Sequence, residues 1–230
     1  AMAACTTAWA QSAEQAQMDF ANGLFQRGFF AEAADEYDKY LEDNPKGEHA
    51  AEAWLRLGRS SQAAGNYEKA VDAYTTLLAM SPGESARLDA AADKGESLYN
   101  LKKLPDAEAV FVSLTGDGIP ADIRGRALYY LGKVHAEAGD SQAAVKDFQT
   151  LADTLPDNPL APYARYQLGF AYLAANDLEN AALAFSAVAG ADVDTALRAE
   201  SRYRAAEVYD RIGWFRSEER RVGKECRSRW

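Results

Sequence analysis

Residues 53–82 read AWLRLGRSSQAAGNYEKAVDAYTTLLAMSP, and this stretch decides the fold. Trp54, Leu57 and Gly58 fall at helical spacing and mark a first helix. Gly65 supplies the left-handed residue that ends a helix before a tight turn. Ala70 and Tyr74, four residues apart, mark a second helix, and Pro82 stops it because proline cannot donate the next backbone hydrogen bond. The stretch therefore predicts two short helices folded back on one another.

Stepping outward by 37 residues returns the same pattern, and self-similarity at a fixed period is the signature of a repeat architecture. One column runs Gly28, Gly65, Lys102, Gly139, Asn176, Gly213, and a second runs Ala21, Gly58, Gly95, Gly132, Gly169, Ala206. A third is Ala33, Ala70, Ala107, Ala144, Ala181; a fourth, wholly aromatic, is Tyr37, Tyr74, Phe111, Phe148, Phe185. Within one unit Leu131, His135 and Ala138 share a helical face, and Ala144, Phe148, Leu151 and Leu155 share the next. The packing expected is a small residue mid-way along the first helix, a small one facing it from the second, and the aromatic filling the space left between them. Pro45 and Pro156 stop second helices as Pro82 does.

These columns resemble the tetratricopeptide repeat, whose signature is matched by Trp54, Leu57, Gly58, Gly65, Tyr67, Ala70, Tyr74 and Pro82. The resemblance extends over residues 14–215 as five full repeats and the first helix of a sixth. It implies an all-α fold, a right-handed α-solenoid of stacked helical hairpins. Departures are Lys102 and Asn176 at the turn, Ser141 at a usual aromatic, and a weak third repeat holding Gly116-Asp117-Gly118. The period of 37 is longer than the family's usual 34 and resembles bacterial envelope members.

The ends read differently from the body. Residues 216–230, RSEERRVGKECRSRW, form an abrupt Arg-rich run, and the Ala and aromatic columns fail there at Glu218 and Val222 respectively. The run resembles a translated sequencing adapter, so 216–230 is expected to be non-native. The chain carries a net charge of −10; without that run it carries 19 basic against 32 acidic residues, or −13, and loses Cys226. At the start, Ala8-Trp9-Ala10 has the small-x-small form of a signal-peptidase site. The expected plan is a signal-peptide remnant at 1–10, a solenoid at 11–215 and a periplasmic or secreted location. The alternative is an outer-membrane lipoprotein, with membrane attachment only by lipidation at Cys5.

Composition removes several functions. Such a negative chain repels phosphate backbones, so nucleic acid is not the expected partner. No run of ~18 apolar residues spans a bilayer. Two cysteines and two histidines do not make a zinc site without carboxylate help. His49 falls in a connection and His135 on a packed face, where a satisfied core histidine is expected. Carboxylate pairs such as Asp35-Glu36 alternate with apolar anchors and read as solvated faces. No phosphate loop or nucleophile elbow is present. No catalytic residue, cofactor or metal is expected, and the chain is not read as an enzyme.

The expected function is a protein-interaction scaffold that holds a peptide or protein segment in a concave groove lined by first helices. The resemblance carries groove positions onto Met18, Asn22, Phe25, Leu55, Arg59, Gln62, Ala92, Glu96 and Tyr99. In the later half it carries them onto Tyr129, Lys133, Tyr166, Phe170, Tyr203 and Glu207, with Tyr163 one turn earlier. Of these, Arg59, Tyr99, Tyr129, Lys133, Tyr163, Tyr166, Phe170 and Tyr203 are the candidate binding residues, and Tyr129, Tyr166 and Tyr203 form an in-phase ladder. A ladder that merely packs between helices suits tyrosine equally well. The cationic clamp used by some members for a terminal carboxylate is absent, since Met18, Asp89 and Asp93 occupy its positions. Other expectations are a repeat region of a longer envelope protein with a separate catalytic or peptidoglycan-binding domain, and a spacer or oligomerisation arm.

Overall fold

A computed structural model of the chain describes residues 2–213. Among them are eleven α-helices in five hairpins and a single last helix: α1 (Met2–Gln26), α2 (Phe30–Asp43), α3 (Ala50–Ala63), α4 (Tyr67–Ala79), α5 (Glu84–Asn100), α6 (Leu104–Ser113), α7 (Ala121–Ala138), α8 (Ser141–Thr154), α9 (Ala161–Ala174), α10 (Leu178–Ala189) and α11 (Thr195–Ile212). The fold is an all-α helical-repeat solenoid, as the columns require. The segment 216–230, with Glu218, Val222 and Cys226, lies outside the described residues. No described helix is long and apolar enough to cross a membrane.

Contacts cluster into two compact units that part between Leu114 and Thr115. The first holds α1 to α6 and the second α7 to α11, and in each unit every helix packs on its neighbours in sequence. The division falls beside the Gly116-Asp117-Gly118 loop of the weak third repeat. That repeat's second helix, α6, has 10 residues and buries only Ala107 and Phe111.

The turn column has one backbone conformation whatever its residue. Gly28, Gly65, Gly139 and Gly213 have φ between 72° and 83°, and Lys102 and Asn176 have φ 60° and 59°. The following N–H reaches back five residues, from Asn66 to the Ser61 carbonyl at 2.8 Å, from Lys103 to Leu98 at 3.0 Å and from Asp140 to His135 at 2.9 Å. These bonds satisfy carbonyls that the helix end leaves free, and they require the left-handed residue between. One position later, the side chains of Asn66, Asp140 and Asp177 accept from backbone N–H groups of Lys69, Ala143 and Asn180, capping the second helix. In the first repeat the same position is Phe29, which provides no side-chain cap.

From the second repeat to the fifth, each hairpin core is one glycine under one ring. A Cβ added to Gly132 would lie 2.7 Å from Phe148 Cε1, one on Gly95 would lie 2.7 Å from Phe111 Cε1, and one on Gly169 would lie 2.5 Å from Phe185 Cε1. Gly58 meets Tyr74 in the same way. The rings of Tyr37, Tyr74, Phe111, Phe148 and Phe185 are fully buried, as are Ala33, Ala70, Ala107, Ala144 and Ala181. Burying each ring contributes roughly 1.5–3 kcal/mol, so this column is a main source of hairpin stability.

Candidate functional site

In the first unit the groove positions are largely engaged with each other. Arg59 Nε of α3 donates to Asp93 Oδ2 of α5 at 3.0 Å, and Gln62 Nε2 reaches Glu96 Oε2 at 3.5 Å. The Tyr74 hydroxyl donates to Gln62 Oε1 at 3.0 Å, and that of Tyr37 to Asn22 Oδ1 at 2.6 Å. Burial pushes the Tyr37 hydroxyl pKa up to about 12, so it stays a donor at any physiological pH. Met18 and Ala92 are buried, Phe25 stacks edge-on against Phe30 at 5.2 Å, and Leu55 packs beside the Tyr74 cluster. Tyr99 is only 7% exposed, with Lys102 Nζ 5.0 Å from its ring centre. It serves the packing of α5 more than an open surface.

The second unit gathers the aromatic candidates on α7, α9 and α11. Tyr129 packs edge-on against Phe148 at 6.0 Å, and Tyr166 against Phe185 at 5.7 Å and Phe170 at 5.1 Å. Both rings therefore lean on the aromatic of their own hairpin. Burial raises the Tyr129 hydroxyl pKa, opposed by a hydrogen bond with Gln167, and raises that of Tyr166, aided by the nearby Glu200 carboxylate. Tyr163 is 42% exposed and donates to Asp194 Oδ2 at 3.3 Å; Tyr203 is 62% exposed. Lys133 Nζ lies 4.9 Å from the centre of Tyr130 and 5.8 Å from that of Tyr129.

Arg204 was not among the residues singled out by sequence. Its guanidinium lies 5.7 Å from Phe170 and 5.4 Å from Tyr203, while Nε donates to Glu200 at 2.8 Å and Nη1 to Glu207 at 3.1 Å. Spacings of four and three residues on α11 are the sequence signal that could have found it. Tyr130, adjacent to Tyr129, was missed for a different reason, because it belongs to no conserved-looking column.

The tyrosine column is thus divided by what covers it. Tyr129 and Tyr166 have a ring of the second helix behind them, whereas no second helix follows α11 among the described residues and Tyr203 stands open. The surface offers exposed π-faces, two cations held over rings and carboxylates beside them. Such groups bind by contact area and cation–π attraction. The histidine reading is met at His135, whose Nδ1 lies 2.6 Å from Asp147 Oδ2 across the α7–α8 hairpin. Among the described residues no cluster of three or more His, Cys, Asp or Glu is placed to hold a metal.

The family model described as tetratricopeptide repeat matches residues 18–85, 57–120, 92–159 and 131–194. The chain belongs to the tetratricopeptide repeat family. Among solved structures it is similar to MamA from Desulfovibrio magneticus, residue 41 to the end, at TM-score 0.65 and 22% identity over 76% of this chain and 92% of that one. YrrB, described as a TPR protein with an unusual peptide-binding site, aligns at TM-score 0.63 and 21% identity over 86% of this chain and 97% of that one. A tetratricopeptide repeat protein from Parabacteroides merdae aligns at TM-score 0.69 and 13% identity over 88% and 74%. At these identities the likeness concerns the fold. No curated protein matches the chain by sequence.

Proposed function

We propose that the chain is a non-catalytic scaffold of the bacterial cell envelope, periplasmic or secreted, which binds a peptide or protein segment on the first-helix surface of its second unit. The carrying observation is the set of side chains there: Tyr163 and Tyr203 exposed, Arg204 held over Phe170 and Tyr203, and Lys133 over Tyr130. Rigid aromatics bury large area at small entropy cost, which suits recognition of an extended chain. The charge of Arg204 is met by Glu200 and Glu207. A segment of mixed charge therefore fits better than a strongly acidic one, and binding should weaken only modestly with salt. The peptide-binding description of YrrB supports this reading by analogy of fold.

Tyr129 and Tyr166 are better assigned to packing, since their rings contact Phe148 and Phe185. The test takes a partner captured from an envelope extract and identified, then titrates it against wild type, Tyr163→Ala and the distant control Glu68→Ala. A true anchor costs more than ~1 kcal/mol on truncation, so Tyr163→Ala should weaken binding about tenfold while the control does not. Equal affinity for wild type and Tyr163→Ala, with both folded, would refute the site.

A further inference from the structure

Tyr163 differs in kind from its counterparts in the other repeats. Its column, at steps of 37 residues, reads Gln15, Glu52, Asp89, Arg126, Tyr163, Glu200. Every other member is polar or charged, so the hairpins do not need a ring at this position in order to pack. Nor is the ring left open by an end of the array. Its helix, α9, is packed between α8 before it and α10 after it, and Tyr163 is still 42% exposed. A large ring that packing neither demands nor covers is available to a partner.

The ring is fixed in place from its hydroxyl end. That hydroxyl donates to Asp194 Oδ2 at 3.3 Å, and Asp194 is itself held as the N-cap of α11, where Oδ1 accepts from the Leu197 N–H at 2.8 Å. The two bonds set a carboxylate at the edge of an open π-face. Both groups attract a cation, the face through its quadrupole and the carboxylate through its charge. Elsewhere in the second unit the chain meets this demand from within. The Arg204 guanidinium lies 5.4 Å from Tyr203 and 5.7 Å from Phe170, and it donates to Glu200 and Glu207. Among the described residues, Tyr163 has its carboxylate but no cation over its ring.

We propose that an arginine side chain of the bound segment completes this arrangement, its guanidinium lying on the Tyr163 ring and donating to Asp194. The inference rests on the reading of the second unit as the binding surface and names the chemistry of one anchor there. Arginine fits better than lysine, because a planar guanidinium stacks on the ring while its N–H groups, in the same plane, reach outward to the carboxylate. An acidic side chain is repelled by Asp194. An aliphatic one covers the ring but leaves the carboxylate to lose water without a partner. The chain's net charge of −10 favours the approach of a segment that carries basic residues. One charged anchor within a mainly apolar contact keeps the salt dependence modest.

Selection from a phage-displayed library of random dodecapeptides on the immobilised 230-residue chain supplies the probe. The tightest peptide is made with a fluorophore, and again with each arginine in turn replaced by citrulline, its uncharged isostere. All are titrated by fluorescence anisotropy against wild type, Tyr163→Ala and Asp194→Asn. Asparagine caps a helix as well as aspartate does, so Asp194→Asn removes the charge and keeps α11. At one arginine, citrulline should weaken binding to wild type about fivefold or more. Asp194→Asn should weaken the arginine peptide by a similar factor, and the citrulline peptide should bind wild type and Asp194→Asn alike. Selected peptides without arginine would overturn the anchor. So would peptides that respond to Tyr163→Ala but not to citrulline or Asp194→Asn, and in that case the binding surface itself stands. Peptides indifferent to Tyr163→Ala would overturn the surface and the anchor together.

Discussion

Replacing Gly132 by alanine probes the contact on which four of the five hairpins are built. The new Cβ would lie 2.7 Å from Cε1 and 2.8 Å from both Cδ1 and Cζ of Phe148, against ~3.5–4.0 Å for carbons at optimal separation. The ring must therefore retreat by about 1 Å, and it is buried, with Ala144 and Leu151 of its own helix in the same core. Overpacking of this kind costs about 1–3 kcal/mol, and alanine's better helical preference returns up to ~1 kcal/mol. A net loss of ~1–2 kcal/mol is expected, toward the lower part of that range. The first repeat places Ala21 beneath Tyr37 with both fully buried, so hairpin spacing can adapt to one methyl group. Urea unfolding followed by circular dichroism gives the size of the loss, and amide exchange in α7 and α8 gives its place, since repeat stability is nearly additive and the change should be local first. Phe148→Leu in the same background should recover part of it, with a coupling energy above ~0.5 kcal/mol. A Gly132→Ala variant as stable as wild type would show that the small-residue column is not set by the ring.

Other substitutions test neighbouring parts of the same framework. Ala181→Leu, at a position with no exposed surface beside Phe185, should cost about 1–3 kcal/mol and speed amide exchange first in α10. At Gly139, where φ is 83°, asparagine should be nearly neutral and valine should cost roughly 1–3 kcal/mol in thermal unfolding, because a β-branched residue is strained in the left-handed region. Asp147 titrates above its ordinary range because burial outweighs the stabilising contact with His135. A raised folded-state pKa favours the protonated form, so wild type compared with Asp147→Asn should be relatively most stable at acidic pH and lose ground as pH rises through the folded-state value, as read by urea midpoints across pH.

Much of the fold was legible because period and sterics agree. The glycine column predicts close helix approach, and the structure puts the aromatic of the next helix on each glycine from Gly58 to Gly169. Lys102 and Asn176, which read as departures, turn out to keep the left-handed conformation. The reverse bond from Lys103 to Leu98 demands it at 3.0 Å just as the bond from Asn66 to Ser61 does at 2.8 Å. At this turn the hydrogen bonds dictate the backbone, and glycine is only its least strained occupant. The division at Leu114 was less legible, because a weak third repeat in sequence does not say where one compact unit ends and the next begins.

The candidate site was read less well for a definite physical reason. A column identifies equivalent backbone positions, but a side chain's role depends on what lies over it, and that changes along a repeat array. Tyr166 and Tyr203 occupy one column; Tyr166 packs on Phe185, while Tyr203 is 62% exposed on a helix whose own hairpin has no second helix among the described residues. Phe20 shares a column with the buried Leu57 and Leu168, yet stands exposed on α1. Interior helices bury two faces and the first and last described ones bury fewer, so identical chemistry becomes core in one repeat and surface in another. Residues that match the period yet escape its burial are then the ones available for recognition. By that reasoning Tyr163→Ala should change association while leaving the stability of the hairpins nearly as it was, and Gly132→Ala should do the reverse.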